Sequence, residues 1–206
     1  MAEKPARVRD PMRRERILTA AAALMAQHGY HMANLSDIGA KAGIVGSGIY
    51  RHFDGKPAIL LEFFDRVMDR LICDAEDSLR HAGDGIWTLE HLVTAQVQFT
   101  MDERQLYQVY LNEARNLPPA DLSRLREKQR TYVGIWQETL LSLRPELSAA
   151  ESQVLVQAAI NVIHSVLLYR PALERGDLET LLIDASMRTL GIVEGAQTGR
   201  RDVVEM

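Results

Sequence analysis

Between Ser36 and Lys56 the chain gathers hydrogen-bond donors of the kinds that meet phosphate oxygens and base edges: Ser36, Ser47, Tyr50, Arg51, His52 and Lys56, with the bare backbone of Gly48 among them. The chemistry this set can do is the holding of a polyanion, not the making or breaking of bonds. Each residue has a plainer alternative. Tyr50 reaches a phosphate through its rigid ring or simply packs. His52 donates an N–H to a phosphate oxygen or lies idle. Lys56 opens a long helix, whose first amides favour an anion, or is merely solvated. Arg51 points away from the Ile49/Phe53 face, as a guanine reader or as another phosphate contact. Ser36 and Ser47 are small donors for either target.

A second set lies further along the chain. Phe99, Tyr107, Tyr110, Tyr132 and Trp136 are aromatic, and Arg115, Asn116 and His164 are polar. Ligand pockets are mostly apolar with a few polar groups, which is the mixture this set offers; packing in a core is the alternative for each. Arg115 and Asn116, beside Pro118-Pro119, suit a carboxylate or a phosphate. His164 on an apolar helix is a core histidine or a ligand contact. No Gly-rich phosphate loop, nucleophile elbow or pair of catalytic carboxylates accompanies them, so an enzyme is not expected. His28 and His31 straddle Gly29 without a companion ligand, so no metal is expected, and no cofactor is implied. Cys73 is the single cysteine, which excludes an intramolecular disulfide; it reads as a small hydrophobe on a long helix.

Helices must position both sets. No alternating, β-branched run argues for a strand. Ile17, Ala20, Ala21, Leu24 and Met25 form one stripe of a helix from Arg13 to His28, ended by Gly29. Asn34 caps a short helix over 35–42, with Asp37 in its first turn and Leu35 and Ile38 facing inward. A turn at Gly43-Ile44 leads to a second short helix from about Gly46 to Phe53, with Ile49 and Phe53 on its inner face. Two short helices around a glycine turn, buttressed by a longer one, describe a helix-turn-helix. Val45 supplies no cap to its second helix, and Gly48 inside it costs about 1 kcal/mol relative to alanine. From Lys56 to about His81 a wide apolar stripe runs from Ile59 to Ala75. Gly83-Asp84-Gly85 is a turn. Further helices are expected over 88–101, 103–115, 119–143, 148–168 and 177–191, punctuated by Pro118-Pro119, Pro145 and Pro171. Ser148 and Glu151 form a capping box.

Charge follows the same division. Residues 1–56 hold nine basic and five acidic side chains; the remainder holds fifteen and twenty-three. A basic head can approach a polyanion while an acidic body stays clear, since salt screens charge beyond about 8 Å. No apolar run approaches the roughly 18 residues of a membrane span. No apolar segment of the secretory kind follows the polar N-terminus, so a cytoplasmic protein without membrane attachment is expected.

The string Ile38-x-x-x-Ala42-Gly43-Ile44, then Ile49-Tyr50-x-His52-Phe53, then Lys56 resembles the signature of the TetR family of transcriptional regulators. The stretch Ile17–Tyr30 resembles that family's first helix. The resemblance implies an all-α homodimer: an N-terminal three-helix helix-turn-helix DNA-binding head over 13–56, after a flexible arm over 1–12. A helical ligand-binding and dimerisation body would cover 57–193, with a tail over 194–206. It implies a repressor on a palindromic operator, released by a small molecule, with Tyr50, His52 and Lys56 on phosphates. Where the family commonly carries Ser, Lys, Gly and Thr, this chain has Val45, Gly46, Ser47 and Gly48, so two frequent DNA contacts are missing. The string from Val109 to Pro118 resembles regulators of fatty-acid and acyl-CoA catabolism, and Ile44–Phe53 resembles a steroid-catabolism regulator. Both imply a CoA-thioester effector. A multidrug-type sensor, or a helical protein-interaction module without specific DNA binding, remain the alternatives.

Overall fold

The computed structural model describes residues 12–80 and 85–192. Among them are eight α-helices, joined by three 3-10 turns and no strand. The helices are α1 (Arg13–Met32), α2 (Leu35–Lys41), α3 (Lys56–Arg80), α4 (Gly85–Asp102), α5 (Arg104–Glu113), α6 (Pro119–Leu143), α7 (Ala149–His164) and α8 (Arg175–Thr189). The expected arm (apart from Met12), the tail and the turn at Gly83-Asp84 fall outside the described residues. No described helix is long and apolar enough to cross a membrane.

The chain divides into two compact units. The first takes Met1–Val67 and Gln105–Leu125; the second takes Met68–Arg104 and Arg126–Met206. The helix-turn-helix therefore shares its unit with α5 and the first turns of α6. Its core holds Ile17, Ala21, Ile38, Ile49, Phe53, Ile59, Phe63 and Phe64. Phe64 meets the buried Tyr110 of α5 edge to face at 5.3 Å.

Two glycines shape this unit. Gly29, at φ 78° and ψ 162°, kinks α1 so that only Tyr30–Met32 continue beyond it. Gly43, at φ 71°, makes the turn between the two short helices. Both have a positive φ, which a side chain disfavours by roughly 1–3 kcal/mol. Asn34 caps α2 as expected: its side chain accepts the Asp37 N–H at 2.8 Å and donates to the Asp37 carboxylate at 2.7 Å.

In the second unit α4, α7 and α8 pack on one another, and α6 adds Tyr132, Trp136 and Leu140 to the buried set. The capping box of α7 forms: Ser148 accepts from Glu151 N–H, and the Glu151 carboxylate accepts from Ser148 N–H at 2.8 Å. Helix α4 begins earlier than the sequence pattern suggested. Gly85 permits this, because a Cβ there would come within 2.9 Å of Leu143. One expectation is overturned: Cys73 is exposed, not a buried hydrophobe. The buried stripe of this stretch runs through Met68, Leu71, Ala75 and Ser78, and Cys73 projects from the opposite face with its Sγ 3.9 Å from Asp77 Oδ2.

Candidate nucleic-acid interface

The second short helix is not α-helical. Gly46–Arg51 winds as a 3-10 helix, with Val45 O accepting the Gly48 N–H at 2.7 Å and Ile49 O accepting the His52 N–H at 2.8 Å. No side chain caps it at Val45, and it holds two glycines, so neither cap nor propensity favours the wider α turn. Its inner side is anchored by Ile49, fully buried, with Phe53 buried just beyond. Ser47, Tyr50 and Arg51 are exposed. Ser36 is exposed on α2, whereas Gly48, His52 and Lys56 are half-buried. All seven expected DNA-contacting residues therefore lie in the first unit, on α2, on the 3-10 segment and at its junction with α3.

An ionic cluster holds this segment to the buttress. Arg14 of α1 donates to His52 O at 2.6 Å and to Glu62 at 2.9 Å, and lies over the Phe53 ring at 4.2 Å. Arg66 of α3 grips Glu15 with two 2.7 Å bonds and reaches Glu62 at 3.1 Å. Hydrogen bonds from Arg66 hold the Glu15 carboxyl below the usual carboxylate range, and those from Arg14 do the same for Glu62. The pairs are partly exposed, so each contributes at most about 1 kcal/mol; the geometry they impose on the 3-10 segment is their larger effect.

Lys56 is more engaged than its sequence position suggested. Its ammonium donates to Tyr30 O at 2.7 Å and His31 O at 3.1 Å, and stands 4.5 Å over the Tyr30 ring. Burial holds it below the usual lysine range, and the Glu113 carboxylate acts against that shift. Two of its three donors are thus spent on the carbonyls after the Gly29 kink. The same kink frees the Tyr30 N–H, which donates to Glu113 Oε1 at 3.1 Å.

The expected effector set does not fall in one unit. Tyr107, Tyr110, Arg115 and Asn116 belong to the first. Tyr107 and Tyr110 are buried and stacked at 5.4 Å, Arg115 is exposed, and Asn116 donates to Glu113 Oε2 at 2.6 Å. Phe99, Tyr132, Trp136 and His164 belong to the second. There Tyr132 Oη donates to Gln96 Oε1 at 2.6 Å, and Gln96 Nε2 to Thr100 Oγ1 at 3.3 Å. Trp136 meets Tyr132 edge on at 6.0 Å, and its indole Nε1 is buried without a hydrogen-bond partner. Phe99 is half-buried. Burial pushes His164 down to about 4, so its imidazole is neutral at pH 7. Sequence reasoning missed Arg14, Glu113 and Gln96, each of which has a partner on another element and so leaves no local pattern, and Thr100, which Gln96 reaches along α4.

These shifts make acid unfolding readable by residue. His164 is depressed when folded, so its cost is absent above its unfolded value of about 6.5 and grows as pH falls toward about 4. Glu15 and Glu62, also depressed, contribute above the unfolded carboxylate value of about 4.3 and lose that contribution as pH falls through their folded values. Melting temperature against pH is expected to fall in two limbs. His164→Asn should flatten the upper limb, and Glu15→Gln with Glu62→Gln the lower; unchanged limbs would contradict the assignments.

Residues 17–63 match the family described as bacterial regulatory proteins, tetR family. Residues 83–167 match the tetracyclin repressor-like C-terminal domain. The HTH-type transcriptional activator FasR of Mycolicibacterium smegmatis is 30% identical over 97 residues, 47% of this chain and 44% of that protein. The HTH-type transcriptional repressor KstR2 of Rhodococcus jostii is 27% identical over 129 residues, 62% of this chain and 63% of that protein. In each case the match spans less than two thirds of the relative's own length. Among solved structures, the ketosteroid transcriptional regulator KstR2 of Mycobacterium tuberculosis superposes with a TM-score of 0.71 at 21% identity, over 89% of this chain and 95% of that one. At that identity the likeness is one of fold.

Proposed function

Because the chain belongs to the tetR family of bacterial regulatory proteins, and such regulators are not enzymes, we propose that it is a repressor that grips a palindromic operator as a homodimer and is released by a small hydrophobic effector. The observation that carries the reading is the division of the recognition segment: Ile49 and Phe53 are packed into the head, while Ser47, Tyr50 and Arg51 are presented outward. DNA binding is assigned to residues 13–56, and ligand binding and dimerisation to 57–193, with the protein acting in the cytoplasm. The dimer contact is assigned to α7, α8 and the segment between them. Val154, Leu168, Tyr169, Leu173 and Leu181 are all at least 49% exposed there. A monomer gains nothing from leaving such a patch in water.

For the effector we favour a CoA thioester with an acyl or steroid-derived moiety. The support is the buried indole N–H of Trp136, left without a partner beside Tyr132 in the second unit, and a fold shared with a ketosteroid regulator.

Operator titrations test the DNA reading. Arg51→Ala is expected to cost roughly 1–3 kcal/mol on a duplex selected by the protein and to relax preference at one base pair. Tyr50→Phe should weaken all duplexes alike. Lys56→Ala should do so too, with the salt slope reduced by about 1, and should also lower the melting temperature of the head through its lost Tyr30 and His31 contacts. Equal loss on every duplex for Arg51→Ala would make Arg51 a phosphate contact. Footprints without dyad symmetry would contradict the dimer.

A further inference from the structure

We propose that Val45, set beside the side-chain-free backbone of Gly48, reads a thymine methyl group in the major groove. The inference rests on the operator reading above and adds a specificity determinant to it.

Val45 is the most exposed large apolar side chain among the described residues of the first unit, at 75%. Its side chain buries little of itself against the protein. It gives no cap to the 3-10 helix, and its extended backbone (φ −68°, ψ 141°) contributes only its carbonyl, to Gly48. Its position is what distinguishes it from scattered surface hydrophobes. It immediately precedes the second helix of a helix-turn-helix, where the leading residues of that helix meet base edges. A valine there can neither donate to nor accept from a base or a phosphate. Of the four bases, thymine alone presents a methyl group in that groove, and apolar side chains recognise it by contact.

Gly48 supplies an independent observation. Glycine is the destabilising choice beside alanine within a helix, and is usually explained by a positive φ or by internal crowding. Neither holds here. Gly48 is absent from the chain's positive-φ glycines, and a Cβ at its position would meet only Ile44, at 3.9 Å, an ordinary contact. The chain's own packing would accept alanine. What the missing side chain does leave is room for a surface from outside to come close to the backbone, as a base-pair edge must if the short Val45 side chain is to touch it.

The test uses the full chain and duplexes it selects from a random pool, with each dT replaced in turn by deoxyuridine, which lacks only the methyl group. At one position per half-site the replacement is expected to weaken binding by about fourfold per methyl. Val45→Ala should weaken the thymine duplex by a similar factor and be indifferent to that replacement. Gly48→Ala should raise the melting temperature yet weaken binding about tenfold, a combination that a purely structural glycine cannot give. The inference is overturned if no methyl matters, if Val45→Ala remains as sensitive to the methyl as the parent, or if Gly48→Ala binds as the parent does. A chain that selects no duplex at all sinks the operator reading and this inference with it; one that selects duplexes but ignores their methyls sinks this inference alone.

Discussion

A chain carrying Val154→Asp and Leu181→Asp is expected to sediment as a monomer and to bind its operator about 10²–10⁴-fold more weakly, because the second head no longer engages at high effective concentration. The two positions are chosen for what they do not touch. Helix α7 buries Val156, Ala159, Ile160 and Ile163 within its own unit, and α8 buries Leu182, Ser186 and Met187. Val154 and Leu181 are 67% and 55% exposed, so a carboxylate at either is solvated in the monomer and unpaired in a dimer built on this face. Removing a charge from water without a partner costs several kcal/mol, enough to dissociate an ordinary interface. Circular dichroism should show unchanged helicity. If the variant remains a dimer, the protomers meet elsewhere.

The second large effect is expected at Trp136. It is fully buried, braced edge on by Tyr132, whose hydroxyl is fixed by the buried Gln96. Trp136→Ala should destabilise the fold by about 3–5 kcal/mol through the lost side chain and the cavity left behind. Trp136→Phe should behave differently. It keeps one aromatic ring in the site and removes an indole N–H that has no partner in the folded chain, so its cost in denaturant melts should be well below that of the alanine variant. If that N–H is held for the effector, Trp136→Phe should lose up to about tenfold in effector affinity, the worth of one hydrogen bond, while remaining folded. An unchanged effector affinity in Trp136→Phe would make Trp136 a packing residue and nothing more.

Much of this was legible in the sequence, for local reasons. Asn34 caps α2, Gly29 and Gly43 break the chain, Ser148 and Glu151 start α7, and Ile49 and Phe53 turn inward. Each rests on residues a few positions apart, where helical spacing is decisive. What the sequence concealed depends on contacts across elements. Nothing near Arg14 announces that it will hold His52 O, nor near Glu113 that it will take the Tyr30 N–H freed by a kink more than eighty positions away. Cys73 is exposed because the apolar stripe of α3 occupies one face of the helix and position 73 lies on the other. The aromatic set shares a residue type and not a location. The structure divides it between two units: α5 belongs with the helix-turn-helix, and α4 and most of α6 belong to the other unit.

Release by an effector is a coupling between two bound partners, which reciprocal calorimetry measures. An effector that releases the protein must bind the free form more tightly than the operator-bound form. Tenfold release corresponds to about 1.4 kcal/mol, and operator must weaken effector binding by that same factor. Titration of the intact protein with a panel of acyl- and steroid-CoA thioesters, with and without a saturating selected duplex, should show a thioester whose affinity falls about tenfold or more when operator is present. A thioester that binds with the same affinity in both titrations would contradict release, and a panel in which no thioester binds while planar cationic drugs do would contradict the effector class.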